Sequence, residues 1–448
     1  MLKFGVAKKC ITPQYDMCIP GYFSKRFVSG VLDDLYAKAI AWESNGISAI
    51  NVVCDTINLS RDDVLRIRRG IYDRCGVLEK NITVSATHSH TAGPTWEWHG
   101  AGEHDPIYLN MLISQAVDAG VEAYEKRKPA KIGTVSANVQ AYCFIRRYKM
   151  KNGRYLTNPE IGDPEIAGAL GTPDLTFTVS KVCGEDGKII AFISNYGDHL
   201  DCIGGEKVSA DYPGVLAQYV YEKYGEDVES VFFTGPCGNT NCLNAENIPV
   251  KERNDAEYKA LPIHKKMGTI LGDALCEMEK NIKFSENDAL NISREFVAAR
   301  LRVPTEDYVR TAEKILHGED ATFKGYGLER LTLKPKKHVA VATINAYNNP
   351  NKMHEAEITA MTVGDLAMVF WPAEVFVEYG KSVRERFKGK NVLIAELSNG
   401  CVQCYLPTEE AIEQGGYEPT ITGAVTPGPE LGKFMVDETN EMLEKFGF

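Results

Sequence analysis

The chain has 448 residues, a formal net charge of −11, 44% hydrophobic residues and 25% charged residues. This is an ordinary globular composition, long enough for a substantial core and for one large α/β unit over residues 1–448. The acidic balance argues against general nucleic-acid binding and gives no long-range attraction to anionic membranes.

The start, Met1 to Ala7 followed by Ile11-Thr12-Pro13, reads as a strand and a turn. It lacks the apolar core and small-residue cleavage site of a signal peptide, and no run is long enough to span a bilayer. Apolar-rich runs at 36–43 and 47–54 flank Asn45-Gly46 and read as strands. A helix is expected over 61–77, with Ser60 as N-cap and Asp62 and Asp63 in its first turn. A β-branched run at 81–87 predicts a strand. Ile107, Met111, Ile113, Ala116, Val117 and Val121 carry the 3.6 period of a helix over 105–127. Strands are expected at 130–140 and 173–183, around a polar Gly- and Pro-rich loop from Asn152 to Pro173. A strand at 188–196, a helix at 212–224, a strand from Val231 and a helix at 254–280 follow. Residues 292–303 read as a strand and the charged stretch 305–336 as helical. Strands near 337–346, 355–363 and 366–371, a helix at 375–387, a strand at 391–397 and a helix at 428–446 complete the chain. The mixture predicts a large α/β body without a clear linker.

Twelve cysteines are scattered through apolar settings such as Val53-Cys54 and Leu275-Cys276. They read as reduced thiols, which points to a cytoplasmic protein. Cys401-x-x-Cys404, and Cys237 with Cys242, read as packed or loop thiols, because no second half of a zinc knuckle is present.

Chemistry gathers where apolar runs end. Thr87-His88-Ser89-His90-Thr91-Ala92-Gly93-Pro94 follows the strand at 81–87. In an extended His-x-His both imidazoles point to one side, which serves a metal or a hydrogen-bonded structure equally well. His199, Glu374 and Tyr405 each follow another apolar run. Strands of one parallel sheet would bring such residues to one edge. Two imidazoles and a carboxylate suit Zn²⁺ with a coordination position open for water. A phenolate is a less usual ligand, favoured where a cation lowers its pKa. The plainer alternatives are a loop histidine, a helix-start carboxylate and a half-buried aromatic.

Several blocks carry a resemblance. They are Gly5-Val6-Ala7 with Ile11-Thr12-Pro13, the run Gly30 to Ala37, and Thr87 to Pro94. Residues 195–199 with Val208 to Gly214, Trp371-Pro372-Ala373-Glu374, and Ser398-Asn399 through Tyr405 to Gly416-Tyr417-Glu418 complete the set. In order and spacing they resemble the catalytic α/β domain of the neutral, non-lysosomal ceramidase family over nearly the whole chain. The resemblance implies a large mixed-sheet α/β domain and a zinc site of His88, His199, Glu374 and Tyr405. It also implies a substrate-facing ring of His90, Arg146 and Tyr417, with metal-activated water cleaving a linear amide.

The chain departs from the family in places. It has Gly238-Asn239-Thr240-Asn241-Cys242 where the family carries Gly-Asp-Val-Ser-Pro. An asparagine cannot act as a base but can hydrogen-bond a substrate, so Asn239 and Asn241 are candidate substrate contacts. Ile145-Arg146-Arg147 replaces Asn-Arg-Arg, His199-Leu200 replaces His-Pro, and one extra residue precedes Tyr405. The family's immunoglobulin-like module has no counterpart. No basic amphipathic helix stands out, so the expected partner is a small molecule, without nucleic acid or stable membrane insertion. That substrate is expected to be smaller and more polar than ceramide: an N-acylated amine, amino sugar or related conjugate. The alternatives are hydrolysis of an ester or glycosidic bond, and a non-catalytic ligand-binding protein.

Overall fold

Alternating apolar positions, or short continuous apolar runs such as Leu366–Phe370, make strands where turn residues bound them, and twelve strands among the described residues build two sheets. The computed structural model describes residues 1–97, 103–323, 333–400, 405–421 and 426–448. The larger sheet contains β1 (Lys3–Cys10), β2 (Tyr36–Ser44), β3 (Ile47–Cys54), β4 (Ile82–Ala86), β5 (Lys128–Asn138), β6 (Thr176–Gly184), β7 (Ile189–Tyr196) and β8 (Glu229–Thr234). Their order across the sheet is β8-β7-β6-β5-β1-β2-β3-β4. The smaller sheet has the order β9-β10-β11-β12, from β9 (Leu290–Arg300), β10 (Met353–Val363), β11 (Leu366–Phe370) and β12 (Asn391–Ala395).

Most neighbours are antiparallel, but three pairs are parallel: β3 with β4, β7 with β8, and β11 with β12. Parallel neighbours need a crossover, and a helix supplies each one. These are α1 (Arg61–Cys75), α3 (Asp211–Tyr224) and α7 (Val377–Arg386), while α2 (Pro106–Glu125), α4 (Ile263–Met278), α5 (Glu306–Leu316) and α6 (Leu333–Asn348) lie between α1 and α7 in the chain. The expected cap of α1 is present, as a reciprocal capping box between Ser60 and Asp63.

The sheets pack face to face. Phe4, Trp42, Val53, Ile193 and Phe233 of the large sheet meet Met361, Met368, Phe370 and Leu393 of the small one. Helices α1 and α2 cover one part of the large sheet's outer face, and α3 and α4 another. Helix α7 and the last helix (Glu430–Lys445) cover the small sheet. The layers therefore run helix, sheet, sheet, helix.

Residues 396–399 tie the layers together. Glu396 N–H donates to Thr234 O at 3.0 Å, at the end of β8, and Asn399 N–H donates to Val84 O at 2.7 Å, on β4. One short segment after β12 thus bonds to both edge strands of the large sheet. It does so with Leu397 and Asn399 at φ 51° and 62°, a left-handed conformation that costs of order 1–3 kcal/mol per non-glycine residue and persists only when its surroundings impose it.

Some expectations are corrected. The strand expected near 337–346 is part of a helix, Leu333–Asn348. Its buried residues Val339, Ala340, Thr343 and Ala346 recur at helical spacing, and Pro335 sits in the first turn, where it is tolerated. The helix expected over 254–280 is two helices, Ala256–Lys259 and α4, because Pro262 caps the second rather than continuing the first. Within 305–336, the first helix spans Glu306–Leu316 and stops before Gly318, at φ +83°. The polar loop from Asn152 to Pro173 contains strands Tyr155–Thr157 and Ile166–Ala169, which pair with Arg147–Met150. Cys401 and Cys404 lie outside the described residues. The described cysteines, Cys237 and Cys242 among them, are free thiols.

Arg68 and Glu357 join α1 to the small sheet. Both are buried, and Arg68 donates through Nη1 to Glu357 Oε2 at 3.0 Å and through Nη2 to Oε1 at 2.5 Å. Burial alone would raise the Glu357 pKa, but the hydrogen bond and charge of Arg68 outweigh it and hold the carboxyl below its ordinary 4.5. A depressed acid stabilises the fold above its unfolded pKa and loses that contribution as pH falls through the folded value. Arg61 Nη1 also lies 2.5 Å from Glu357 Oε2, so Arg68→Met leaves the carboxylate a partner and should lower stability near neutral pH by about 1–3 kcal/mol, the usual cost of losing hydrogen bonds to a charged group. The gap to wild type should narrow below pH 4.5, which urea unfolding at several pH values will measure.

Candidate metal centre

Each parallel pair delivers chemistry at its carboxyl end. His88 follows β4, His199 follows β7 and Glu374 follows β11. All three are buried, at 1%, 2% and 5% exposure. His88 has φ 72°, so the chain leaves β4 through a strained left-handed turn. The single edge expected from one parallel sheet is instead a meeting of strand ends from two sheets.

The histidines are held in the same way. His88 Nδ1 lies 2.9 Å from Ile57 O, and His199 Nδ1 lies 2.8 Å from Cys237 O. A carbonyl only accepts, so each Nδ1 carries a proton and Nε2 is the nitrogen left for a cation. Those Nε2 atoms stand 3.3 and 3.4 Å from Glu374 Oε2. Neither contact has hydrogen-bond alignment, and Oε2 is buried without such a bond. Three donor atoms thus converge on one point, the arrangement a divalent cation requires. Arg146 Nη1 approaches His199 Nε2 at 3.2 Å, a contact that a cation on this nitrogen would replace.

Tyr405 joins this group through backbone pairing. The two-residue strands Glu374–Val375 and Tyr405–Leu406 run parallel, with Glu374 directly opposite Tyr405. The extra residue before Tyr405 therefore does not push it away from Glu374. Its ring lies 6.3 Å from that of His199 and 5.6 Å from that of Tyr417.

His90 is held differently. Its Nε2 is 3.3 Å from His88 Nε2, and one nitrogen from each of His88, His90 and His199 fits within 4.8 Å. Its Nδ1, however, is buried without a hydrogen bond. Gly21, at φ +107°, presses against it, and a Cβ there would stand 2.8 Å from His90 Nδ1. No carbonyl sets the tautomer of His90 as it does for the other two.

Arg146 is 4% exposed and braced on three sides. It donates to Glu418 Oε1 at 2.7 Å and Gly238 O at 2.9 Å, and its guanidinium carbon lies 4.9 Å from the Tyr405 ring centre. Tyr417 is a neighbour of Tyr405 and meets the ring of Phe23 edge-on at 6.1 Å. Asn239 accepts from Val377 N–H at 2.9 Å and donates to Glu378 Oε2 at 3.0 Å. Asn241 accepts from Leu243 N–H at 3.0 Å.

Three supporting residues escaped the sequence reading. Glu418 braces Arg146, Arg26 donates to His90 O at 2.7 Å, and Glu396 accepts from Cys237 N–H and Val375 N–H. Glu396 carried a signal, since it follows Val392-Leu393-Ile394-Ala395 as Glu374 follows its own apolar run. Arg26 carried none, because its target is a backbone atom remote in sequence.

The charges are interdependent. Burial works to lower the His88 pKa, but the Glu374 carboxylate overrides it and leaves it raised. Burial works to raise Glu374, but His88 and His199 together hold it well below 4.5. A proton on His88 and a divalent cation therefore compete for the same carboxylate. Burial, and then the charges of His88 and His199, push His90 well below 6.5. Burial drives the Tyr405 hydroxyl well above its ordinary value, against the opposing pull of Arg146.

Comparison with solved structures bears on the fold. The crystal structure of neutral ceramidase from Pseudomonas aeruginosa aligns with 98% of this chain and 74% of its own, at TM-score 0.70 and 16% identity. A second structure, a ceramidase complexed with C2, aligns with 99% of this chain and 75% of its own, at TM-score 0.71 and 16% identity. The chain has the neutral ceramidase fold. No protein-family model and no curated protein matches the sequence. The large mixed-sheet α/β architecture implied by the sequence resemblance is the architecture observed.

Burial first, and Arg146 beside it, push the His199 pKa down to about 4. In chelator-treated protein the C2 proton of His199 should titrate near pH 4, which histidine-selective NMR will measure. A midpoint near the ordinary 6.5 would contradict the burial and the Arg146 contact described.

Proposed function

We propose that this protein is a zinc-dependent hydrolase that cleaves a linear amide in an N-acylated small molecule. The observation that carries the reading is the convergence of His88 Nε2, His199 Nε2 and the unbonded Glu374 Oε2, with both Nδ1 atoms tied to carbonyls. Two imidazoles and a carboxylate suit Zn²⁺, and Tyr405, in register with Glu374, is the proposed fourth protein ligand. Bound Zn²⁺ would supply Lewis acidity and lower the pKa of a water molecule towards neutrality.

The chain's own groups have distinct roles in this reading. His90, kept neutral by its surroundings, takes at one ring nitrogen the proton that the attacking water gives up and passes it to the departing amine. Arg146, oriented by Glu418 and Gly238, presents N–H groups to the oxygen on which charge develops. Tyr417, kept protonated by burial, adds a hydroxyl donor. Asn239 has both ends of its amide engaged, so Asn241 is retained as the substrate-facing amide of that loop.

The substrate is read as smaller and more polar than ceramide, and the protein as one catalytic unit acting in the cytoplasm. Among the described residues no helix is long and apolar enough to cross a membrane.

Purified protein should contain one equivalent of zinc by elemental analysis. His88→Ala and His199→Ala should lose both metal and turnover. His90→Ala should keep the metal while turnover falls by about 10²–10⁴-fold, the usual worth of a positioned acid–base group. Equal metal loss in all three would place His90 among the ligands. Across a panel of N-acyl amines, esters and aryl glycosides, the N-acyl amines should be preferred. Exclusive turnover of esters or glycosides would reject the amide reading, and zinc without turnover of any panel member would favour a ligand-binding protein.

A further inference from the structure

We propose that Glu396 is a positioning residue that sets the separation between the Glu374 and His199 arms of the metal centre. The inference rests on the metal-hydrolase reading above and assigns a role to a buried carboxylate which that reading does not use. Glu396 is fully buried at the end of β12. Its Oε2 accepts two backbone bonds, from Val375 N–H at 2.9 Å and from Cys237 N–H at 3.1 Å. Its Oε1 faces the Cys237 thiol at 2.8 Å.

Both backbone donors lead directly to proposed ligands. Val375 is the residue after Glu374. Cys237 supplies the carbonyl that fixes the His199 ring at Nδ1, at 2.8 Å. One oxygen atom therefore joins the backbone that carries the carboxylate ligand to the backbone that aims an imidazole ligand. A second bond, Gly238 N–H to Val375 O at 2.8 Å, links the same two segments. Glu396 is itself pinned to the large sheet by its N–H bond to Thr234 O at 3.0 Å. The chain ends after β8, β11 and β12 are thus locked at one carboxylate. Groups that orient metal ligands in this way typically contribute about 10–100-fold to metal affinity.

The role assigned is reach, and substitutions can test it. Glu396→Gln keeps an acceptor oxygen at the same distance and cannot ionise. Glu396→Asp keeps the carboxyl group but is one methylene too short to serve both N–H groups. Glu396→Met fills a similar volume and accepts nothing. Zn²⁺ affinity is measured by competition with a chromophoric chelator, and ligand geometry by the visible absorption of the Co²⁺-substituted protein. Folding is checked by circular dichroism and thermal melting.

Glu396→Gln should match wild type in Zn²⁺ affinity and Co²⁺ spectrum. Glu396→Asp and Glu396→Met should bind Zn²⁺ about 10–100-fold more weakly, with an altered Co²⁺ spectrum. The two routes to losing the shared acceptor are independent, so either folded variant is sufficient. A folded Asp or Met variant with wild-type affinity overturns the proposal, and so does a Gln variant as weak as the Asp variant. If wild type itself binds no Zn²⁺, the metal-hydrolase reading fails first. If wild type binds Zn²⁺ and turns over while every variant behaves like it, only the role of Glu396 falls.

Discussion

The architecture depends on hydrogen bonds that hold three strand ends together across two sheets. Strands β4 and β8 are opposite edges of the large sheet, yet their ends lie close together. Residues 396–399, leaving the small sheet, bond to the ends of both. Thr234 Oγ1 adds a bond to Thr87 O at 2.7 Å. The left-handed backbone at Leu397 and Asn399 is the local cost of making these bonds at once.

This convergence explains the burial of so many polar groups. His88, His199, Glu374, Arg146, Glu396 and Glu418 are all buried. Removing such groups from water is unfavourable unless each gains a partner. Most have one: carbonyls for the imidazoles, Glu418 for Arg146, backbone N–H groups for Glu396. Among the described residues, Glu374 Oε2 and His90 Nδ1 find no hydrogen-bond partner. Those two atoms mark where the fold itself leaves unmet demand, one among donor atoms suited to a cation and the other on the imidazole beside them.

The parallel pairs place the candidate ligands at strand ends. A crossover helix lets the two strands of a pair run the same way, but β4 and β7 point in opposite directions along the large sheet, so the crossovers alone do not bring the residues after β4, β7 and β11 together. The antiparallel strands between them widen the sheet and bury the core. The polar cluster therefore rests on rigid strand ends, and its outer residues Tyr405, Tyr417 and Arg146 arrive on connecting segments that the ends position.

The sequence by itself determined most of the elements and the identity of the clustered side chains. β-Branched and apolar runs marked the strands before His88, His199 and Glu374, and Ser60 with Asp63 marked a helix start, because these signals are local. It misread 337–346, where small apolar residues suit a strand or a buried helix equally and only packing decides. Tertiary structure alone decided that the candidate ligands come from two sheets, that carbonyls of Ile57 and Cys237 select the histidine tautomers, and that Glu396 reaches two distant backbone amides. Those contacts join residues far apart in the chain, and a hydrogen bond to a backbone atom leaves no mark on the identity of the residue that supplies it.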